Sequence, residues 1–298
     1  MGDVTVSEVP GPAREKRRHP LFDLVLRMVR EKPLGTFGMA VVLLLLFVGV
    51  FADLLAPYRM NEVHLADALA PLSAQHLLGA DQLGRDLFTR LLYGARNTIS
   101  LALLITLLSF TIGIIGGFFA AVIKGWVDQF LSRIVDIIMA IPTLILALMV
   151  LSIVGISIRD LIWVIALLDS TRVYRLSRAL AMDIEVMDYV EAARLRGERT
   201  WWVMRHEILP NALPPLAAEF GLRFCFVFLF ISSLSFLGLG LQPPTADWGG
   251  MVRENAGAIT FGILTPLWPA GMIAFLTVGV NLIVDWFLRR TSELREEY

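Results

Sequence analysis

Two stretches carry residue types found in catalytic or nucleotide-binding sites, and each stops short of its motif. Gly79 and Gly84 in "GADQLGRD" have the spacing of a phosphate-binding loop, whose backbone N–H groups would cradle an anion. Arg85–Asp86 stands where that loop needs Lys and Ser or Thr. "HEILP" at His206 begins like a zinc-protease helix, but no second histidine follows at the required position. Four scattered histidines and the single Cys225 offer neither a metal cluster nor an internal disulfide. No Ser elbow of the G-x-S-x-G type is present. The expectation is a chain that is not an enzyme and binds no cofactor of its own.

The third stretch, "EAARLRGERTWWVMRHEILP" from Glu191 to Pro210, is dense in arginine and glutamate, yet lies between two of the most apolar parts of the chain. Asp188 with Glu191 three residues on has the spacing of a capping box, which places a helix start here. Ala192, Ala193 and Leu195 favour that helix, Gly197 bends or interrupts it, and Pro210 is expected to stop it. Trp201 and Leu209 would give the element after the bend an apolar tip. From the residues alone two readings stay open. One is an amphipathic helix resting on headgroups with tryptophan anchors; the other is a docking surface for a protein partner.

The elements that must position this segment are membrane spans. Of 298 residues, 56% are hydrophobic and 18% charged, against about 45–50% and about 25% in soluble domains. A net charge of −1 argues against a nucleic-acid binder. A span needs about 20 mainly apolar residues. Stretches 36–56, 99–123, 134–156, 224–241 and 264–288 satisfy this, and 158–180 is a weaker sixth because its apolar part ends before Asp169, Ser170 and Arg172. The fold expected is therefore an all-α polytopic membrane protein of six spans. With the N-terminus cytoplasmic, 19 of the 26 Lys and Arg residues fall inside and six outside, which puts both termini and the charged segment in the cytoplasm. No cleaved signal peptide is expected in the polar, basic N-terminal stretch.

The implied organisation is a tail over 1–35, a first span over 36–56, an external segment over 57–98, a core over 99–288 with a cytoplasmic segment at 181–213, and a tail over 289–298. Residues 242–263 form a second, shorter external excursion broken by Pro243, Pro244 and the Gly249–Gly250 pair. Gly113 and Gly117 are spaced to bring a second helix close, although glycine is also common in such spans. Arg223 would cost about 2.5–3.5 kcal/mol at the bilayer centre facing lipid. Its pairing with Glu219 one turn earlier favours a place near the inner interface, before the span proper. Asp169 and Asp285 are expected near inner boundaries, within reach of arginines.

Together, "EAARLRG…HEILP", "LGADQLGRDLFTRLLYGARNTISLAL" at 78–103 and "SFLGLGLQPPTADWGGM" at 235–251 resemble the permeases of ATP-binding-cassette importers. They are most similar to the C-type subunit of the dipeptide/oligopeptide/nickel family, and the resemblance covers nearly all of residues 20–285. It implies a type I importer fold in the plasma (inner) membrane of a prokaryote. The implied partners are a homologous B-type permease, two ATPase subunits holding ATP and magnesium, an extracytoplasmic substrate-binding protein and membrane lipid. Glu191, Ala192, Ala193, Gly197, Trp201, Leu209 and Pro210 would then form the coupling segment to the ATPases. The implied cargo is di- or oligopeptide, with nickel complexes, glutathione or sugars as alternatives within the group. A stand-alone channel or membrane scaffold is the alternative from another class. The chain departs from the family pattern at Glu198–Arg199, at Glu207, and in an ending that lacks Gly-Asp-Gly-Leu-Arg-Asp.

Overall fold

The computed structural model describes residues 33–296, with side chains through Arg289. The expected polar tail over 1–35 therefore lies almost wholly outside the described residues. Among those residues every regular element is a helix: α1 Pro33–Val50, α2 Ala52–Leu55, α3 Leu87–Ile123, α4 Gly125–Ala140, α5 Thr143–Val154, α6 Ile158–Glu185, α7 Asp188–Leu195, α8 Thr200–Val203, α9 Leu209–Phe236, α10 Trp248–Asn255 and α11 Leu267–Glu296. A π-helical turn, Met204–Ile208, joins α8 to α9, and a 3-10 turn, Ala256–Phe261, follows α10.

By length and composition four of these helices could cross a membrane unaided: α1, α3, the continuous Thr200–Phe236 run and α11 up to Arg289. A fifth crossing is possible if α4 and α5 act as one. The span expected at 134–156 is in fact two helices meeting at 93°. Pro142 is the cause, since it drives Ile141 into an extended conformation (φ −95°, ψ 134°) and cannot donate to the helix before it. The weaker stretch, 158–180, is helical throughout within α6, but Asp169, Ser170, Thr171 and Ser177 lower its hydropathy. All four are buried against other helices, so protein and not lipid surrounds them.

Helix bounds differ from the apolar stretches elsewhere too. Leu87–Thr98, assigned by sequence to the external segment, is the first three turns of α3, started by Asp86 accepting from the Thr89 N–H at 2.8 Å. Pro210 does not stop its helix. It sits in the first turn of α9, where a missing N–H costs little, and the π turn just before it takes up the altered hydrogen-bond register.

The tightest helix crossing is α3 on α6. A Cβ at Gly113 would lie 2.5 Å from the Val173 Cβ, and one at Gly117 would lie 2.7 Å from the Tyr174 carbonyl and 2.8 Å from the Arg178 nitrogen. Two helix backbones approach almost without intervening side chains there, and the Ser177 hydroxyl donates to the Gly113 carbonyl at 2.9 Å. On the outer flank α1 crosses α11 in the same way, with Gly38 against the Gly279 carbonyl. The main apolar core joins α3, α5, α6, α9, α10 and α11 around Ile105, Leu151, Ile165, Phe228 and Trp248. A second core lies nearer the charged segment, around Phe118, Ala181, Val190, Ala193, Met204 and Ile208.

At the end of the bundle opposite α7, the two excursions lock together. Asp81 holds Arg85 at 2.6 Å, and Glu254 takes both Arg85 at 2.6 Å and Arg90 at 3.1 Å. "GADQLGRD" is thus an ion-paired turn, with Gly79 and Gly84 at positive φ (79° and 67°). Buried Trp248 donates its ring N–H to the Leu91 carbonyl at 3.1 Å. Asp247 caps α10 through the Gly249 and Gly250 N–H groups at 3.1 and 3.0 Å. Burial nevertheless outweighs these bonds and pushes its carboxyl up to about 6.

Gly117→Ala should force α3 and α6 apart and lower the melting temperature of the purified protein by several degrees, since overpacking costs about 1–3 kcal/mol. Gly271→Ala, where a Cβ meets nothing within 4 Å, should leave it unchanged. The Asp247 shift also has a sign. A carboxyl raised above its unfolded value of about 3.9 favours the protonated fold, so its contribution is complete below about pH 4 and is lost as pH rises through 6. Thermal unfolding scans should show a stability loss across that window that is smaller in Asp247→Asn.

Candidate functional site: the charged elbow and the buried charges

The charged segment folds as a helix, a turn and a second helix, and its sequence spacing has a local cause. The α7 cap is Met187, whose extended backbone lets its carbonyl accept from the Val190 and Glu191 N–H groups at 2.9 and 3.3 Å. The expected capping box is therefore displaced: Asp188 is the first helical residue and makes no side-chain cap. Asp188 and Glu191 still place negative charge in the first turn, where the helix dipole favours it.

The other end is a Schellman motif. The Gly197 N–H donates to the Arg194 carbonyl at 2.9 Å, and the Glu198 N–H reaches the Ala193 carbonyl at 3.2 Å. That geometry needs a left-handed residue at position 197 (φ 84°), which glycine supplies. The distance from Ala193 to Gly197 is thus fixed by hydrogen bonding. Ala193 and Val190 are fully buried in the second core, so a small residue is required at 193 where α7 meets the bundle.

The residues expected to form the coupling segment divide by face. Glu191, Ala192, Gly197, Trp201 and Pro210 are exposed. Ala193 is buried, and Leu209 packs partly against the second core, so these two hold the segment to its own bundle. Leu195 was not among the expected residues, yet it is 83% exposed, and Trp201 is 61% exposed. Its signal was an apolar side chain one helical turn beyond Glu191, in a segment otherwise charged. Behind the elbow, Trp202 stacks on His206 at 4.6 Å, with the Arg196 guanidinium 6.0 Å from its ring.

Glu185 fastens the elbow to the spans. Its buried carboxylate at the end of α6 meets Arg194 of α7 at 2.5 Å and Lys124 at 3.0 Å. Lys124 is the corner between α3 and α4 (φ 59°). One carboxylate therefore ties three elements. Sequence reading missed it, because Lys124 and Arg194 lie 61 and 9 residues away.

A second charged group lies within the helices. Asp169, on α6, accepts from the Ser109 hydroxyl of α3 at 2.7 Å and has Arg223 of α9 at 3.7 Å. Arg223 pairs with Glu219 at 2.7 Å, the expected one-turn pair. Arg223 lies within α9, 14 residues beyond its start at Leu209. Arg172 and Arg223 both lie over the Phe226 ring, at 4.3 and 5.3 Å. Asp285 is exposed on α11, one turn before Arg289 and beside the same cavity.

Four helices long and apolar enough to cross a membrane, with a short charged elbow at one end, fit a multi-pass membrane protein. The chain belongs to the family of binding-protein-dependent transport system inner membrane components, whose model matches residues 112–293; that of the N-terminal membrane domain of oligopeptide transport permease C matches residues 20–71. It is 30% identical over 263 residues to a dipeptide transport system permease protein of Alkalihalophilus pseudofirmus, covering 87% of this chain and 85% of that one. It is 32% identical over 258 residues to a probable D,D-dipeptide transport system permease protein of Escherichia coli, covering 87% of each. It is 31% identical over 270 residues to a glutathione transport system permease protein of Pectobacterium atrosepticum, covering 90% and 89%. A solved amino acid transporter of the same ATP-binding-cassette class, crystallised with histidines, is 22% identical with a TM-score of 0.49 over 68% of this chain and 94% of that one. The protein is an importer permease of the C-type dipeptide/oligopeptide/nickel group, and its relatives are transport permeases rather than enzymes.

Glu185→Gln should loosen α7 from the bundle by about 1–2 kcal/mol, the scale of a charged hydrogen bond reduced by the exposure of Lys124. Limited proteolysis should then cut the 186–200 segment several times faster, with the rest of the digestion pattern unchanged.

Proposed function

We propose that the chain is one of two homologous permeases forming the membrane path of an ATP-driven importer of di- and oligopeptides. The partner is a B-type permease, and an extracytoplasmic binding protein delivers cargo. Two cytoplasmic ATPases, which hold ATP and magnesium, drive the cycle. In this reading α6 completes six crossings with both termini in the cytoplasm, as the distribution of basic residues favours. The observation that carries the coupling role is the elbow: Leu195 and Trp201 point away from the bundle at the tip of a segment held rigidly by its Schellman turn and its buried base. An apolar tip on a charged cytosolic lever suits insertion into a groove of the ATPase. Movement of the tip would pass through Val190, Ala193 and Glu185 into α3, α4 and α6, alternating access to the path.

Glutathione is a second cargo reading, favoured by the glutathione permease among the relatives. Ligand screening of the cognate binding protein separates the two. A stand-alone channel predicts purification without ATPase subunits, whereas the importer predicts their recovery at two per permease pair. Gly197→Trp should reduce peptide uptake at least tenfold and abolish the stimulation of ATP hydrolysis by the binding protein. A Cβ at Gly197 meets nothing within 4 Å, so the cost of the substitution is backbone strain at φ 84°, about 1–2 kcal/mol and local to the elbow, and the protein should still reach the membrane within twofold of normal. Trp201→Ala should behave in the same way without backbone strain. Unchanged transport in both variants would refute the coupling role.

A further inference from the structure

Four charges meet between α6 and α9, and three of them form ion pairs, although Asp169 Oδ1 and the Nε and Nη1 groups of Arg223 are buried without a hydrogen bond. Arg223 faces Glu219 at 2.7 Å and Asp169 at 3.7 Å. Arg172 is the fourth. Among the described residues no carboxylate lies within 4 Å of its guanidinium, and its one protein hydrogen bond is to the Thr143 hydroxyl at 3.2 Å. Its guanidinium carbon lies over the Phe226 ring, 4.3 Å from the centroid. It borders a cavity of about 30 Å³ shared with Thr143, Thr171 and Met139, room for a water or two.

Depth makes this placement informative. Arg172 is 15 residues along from the Ser157 cap of α6, and Arg223 is 13 residues short of the end of α9 at Phe236. At about 1.5 Å per residue each lies roughly 20 Å from that helix end, which in the six-crossing reading proposed above places both within a hydrocarbon layer about 30 Å thick. A half-buried arginine at that depth faces protein or water, because lipid solvates it poorly. The ring and the threonine hold the guanidinium on one side, and among the described residues its other N–H donors have no protein hydrogen bond. A planar fork held in this way matches a carboxylate, which it can grip with two parallel hydrogen bonds.

We propose that Arg172 is a cargo contact on the membrane path, receiving the terminal carboxylate of a peptide as it passes. Phe226 and Thr143 are positioning residues for it. This rests on the peptide-importer reading and adds to it a residue that selects for the free acid.

The test uses the whole complex in proteoliposomes, with its binding protein preloaded with either the dipeptide Ala-Phe or its C-terminal amide at saturating concentration. Preloading removes the binding protein's own preference from the comparison. The native complex should take up the acid faster than the amide. Arg172→Gln should cut that preference at least tenfold, through slower uptake of the acid, with amide uptake within twofold of native. Arg172→Lys, which keeps the charge and loses the fork, should fall between the two. Equal slowing of acid and amide would show a structural role and overturn the proposal, as would an unchanged ratio. Failure of the native complex to import either peptide would overturn the peptide reading itself, and this proposal with it.

Discussion

The close approach of α3 and α6 is the constraint on which the rest depends. Membrane helices gain little from the hydrophobic effect in associating with one another, so contact must come from packing and hydrogen bonds. Gly113 and Gly117 allow the two backbones to meet near Val173, Tyr174 and Arg178, and Ser177 adds a hydrogen bond across the seam. That seam fixes the register of α6. It sets Asp169 opposite Ser109 and brings Glu185 beside the α3–α4 corner at Lys124. A slip between these helices would displace the buried charges and the elbow together.

The two ends of the bundle follow different physics. At one end, ion pairs among Asp81, Arg85, Arg90 and Glu254 join two excursions far apart in sequence. Buried pairs of this kind fix geometry more than they add stability, because desolvation offsets much of their attraction. At the other end, α7 is short and highly charged, and folds only because Val190 and Ala193 are buried and Gly197 closes the turn. The exposed apolar tip is thereby held in place without being covered by its own chain.

The polar residues of α6 connect these ends. A straight apolar helix there would have been a plainer membrane span and a poorer partner for α3 and α9. Asp169, Ser170 and Ser177 are tolerated because protein surrounds them, and they give the interior directional contacts that lipid-facing helices lack. The bend at Pro142 sets Thr143 within reach of Arg172, so a backbone break in one helix positions a charged side chain on the next.

What the sequence determined by itself were properties set by local composition and spacing. These include the apolar stretches, the weakness of 158–180, the charged segment between apolar neighbours, the glycine that turns it and the Glu219–Arg223 pair one turn apart. Only the tertiary structure decided which faces those residues present and what they meet across helices. It showed that Ala193 faces inward while Leu195 faces outward, that Pro210 continues a helix behind a π turn, and that Met187 rather than Asp188 caps α7. It also decided that Glu185 finds Lys124 and Arg194, and that Asp169 finds Ser109. The reason is that hydropathy and capping act over a few residues, whereas a buried charge is settled by whichever distant side chain the helix crossings bring within about 3 Å.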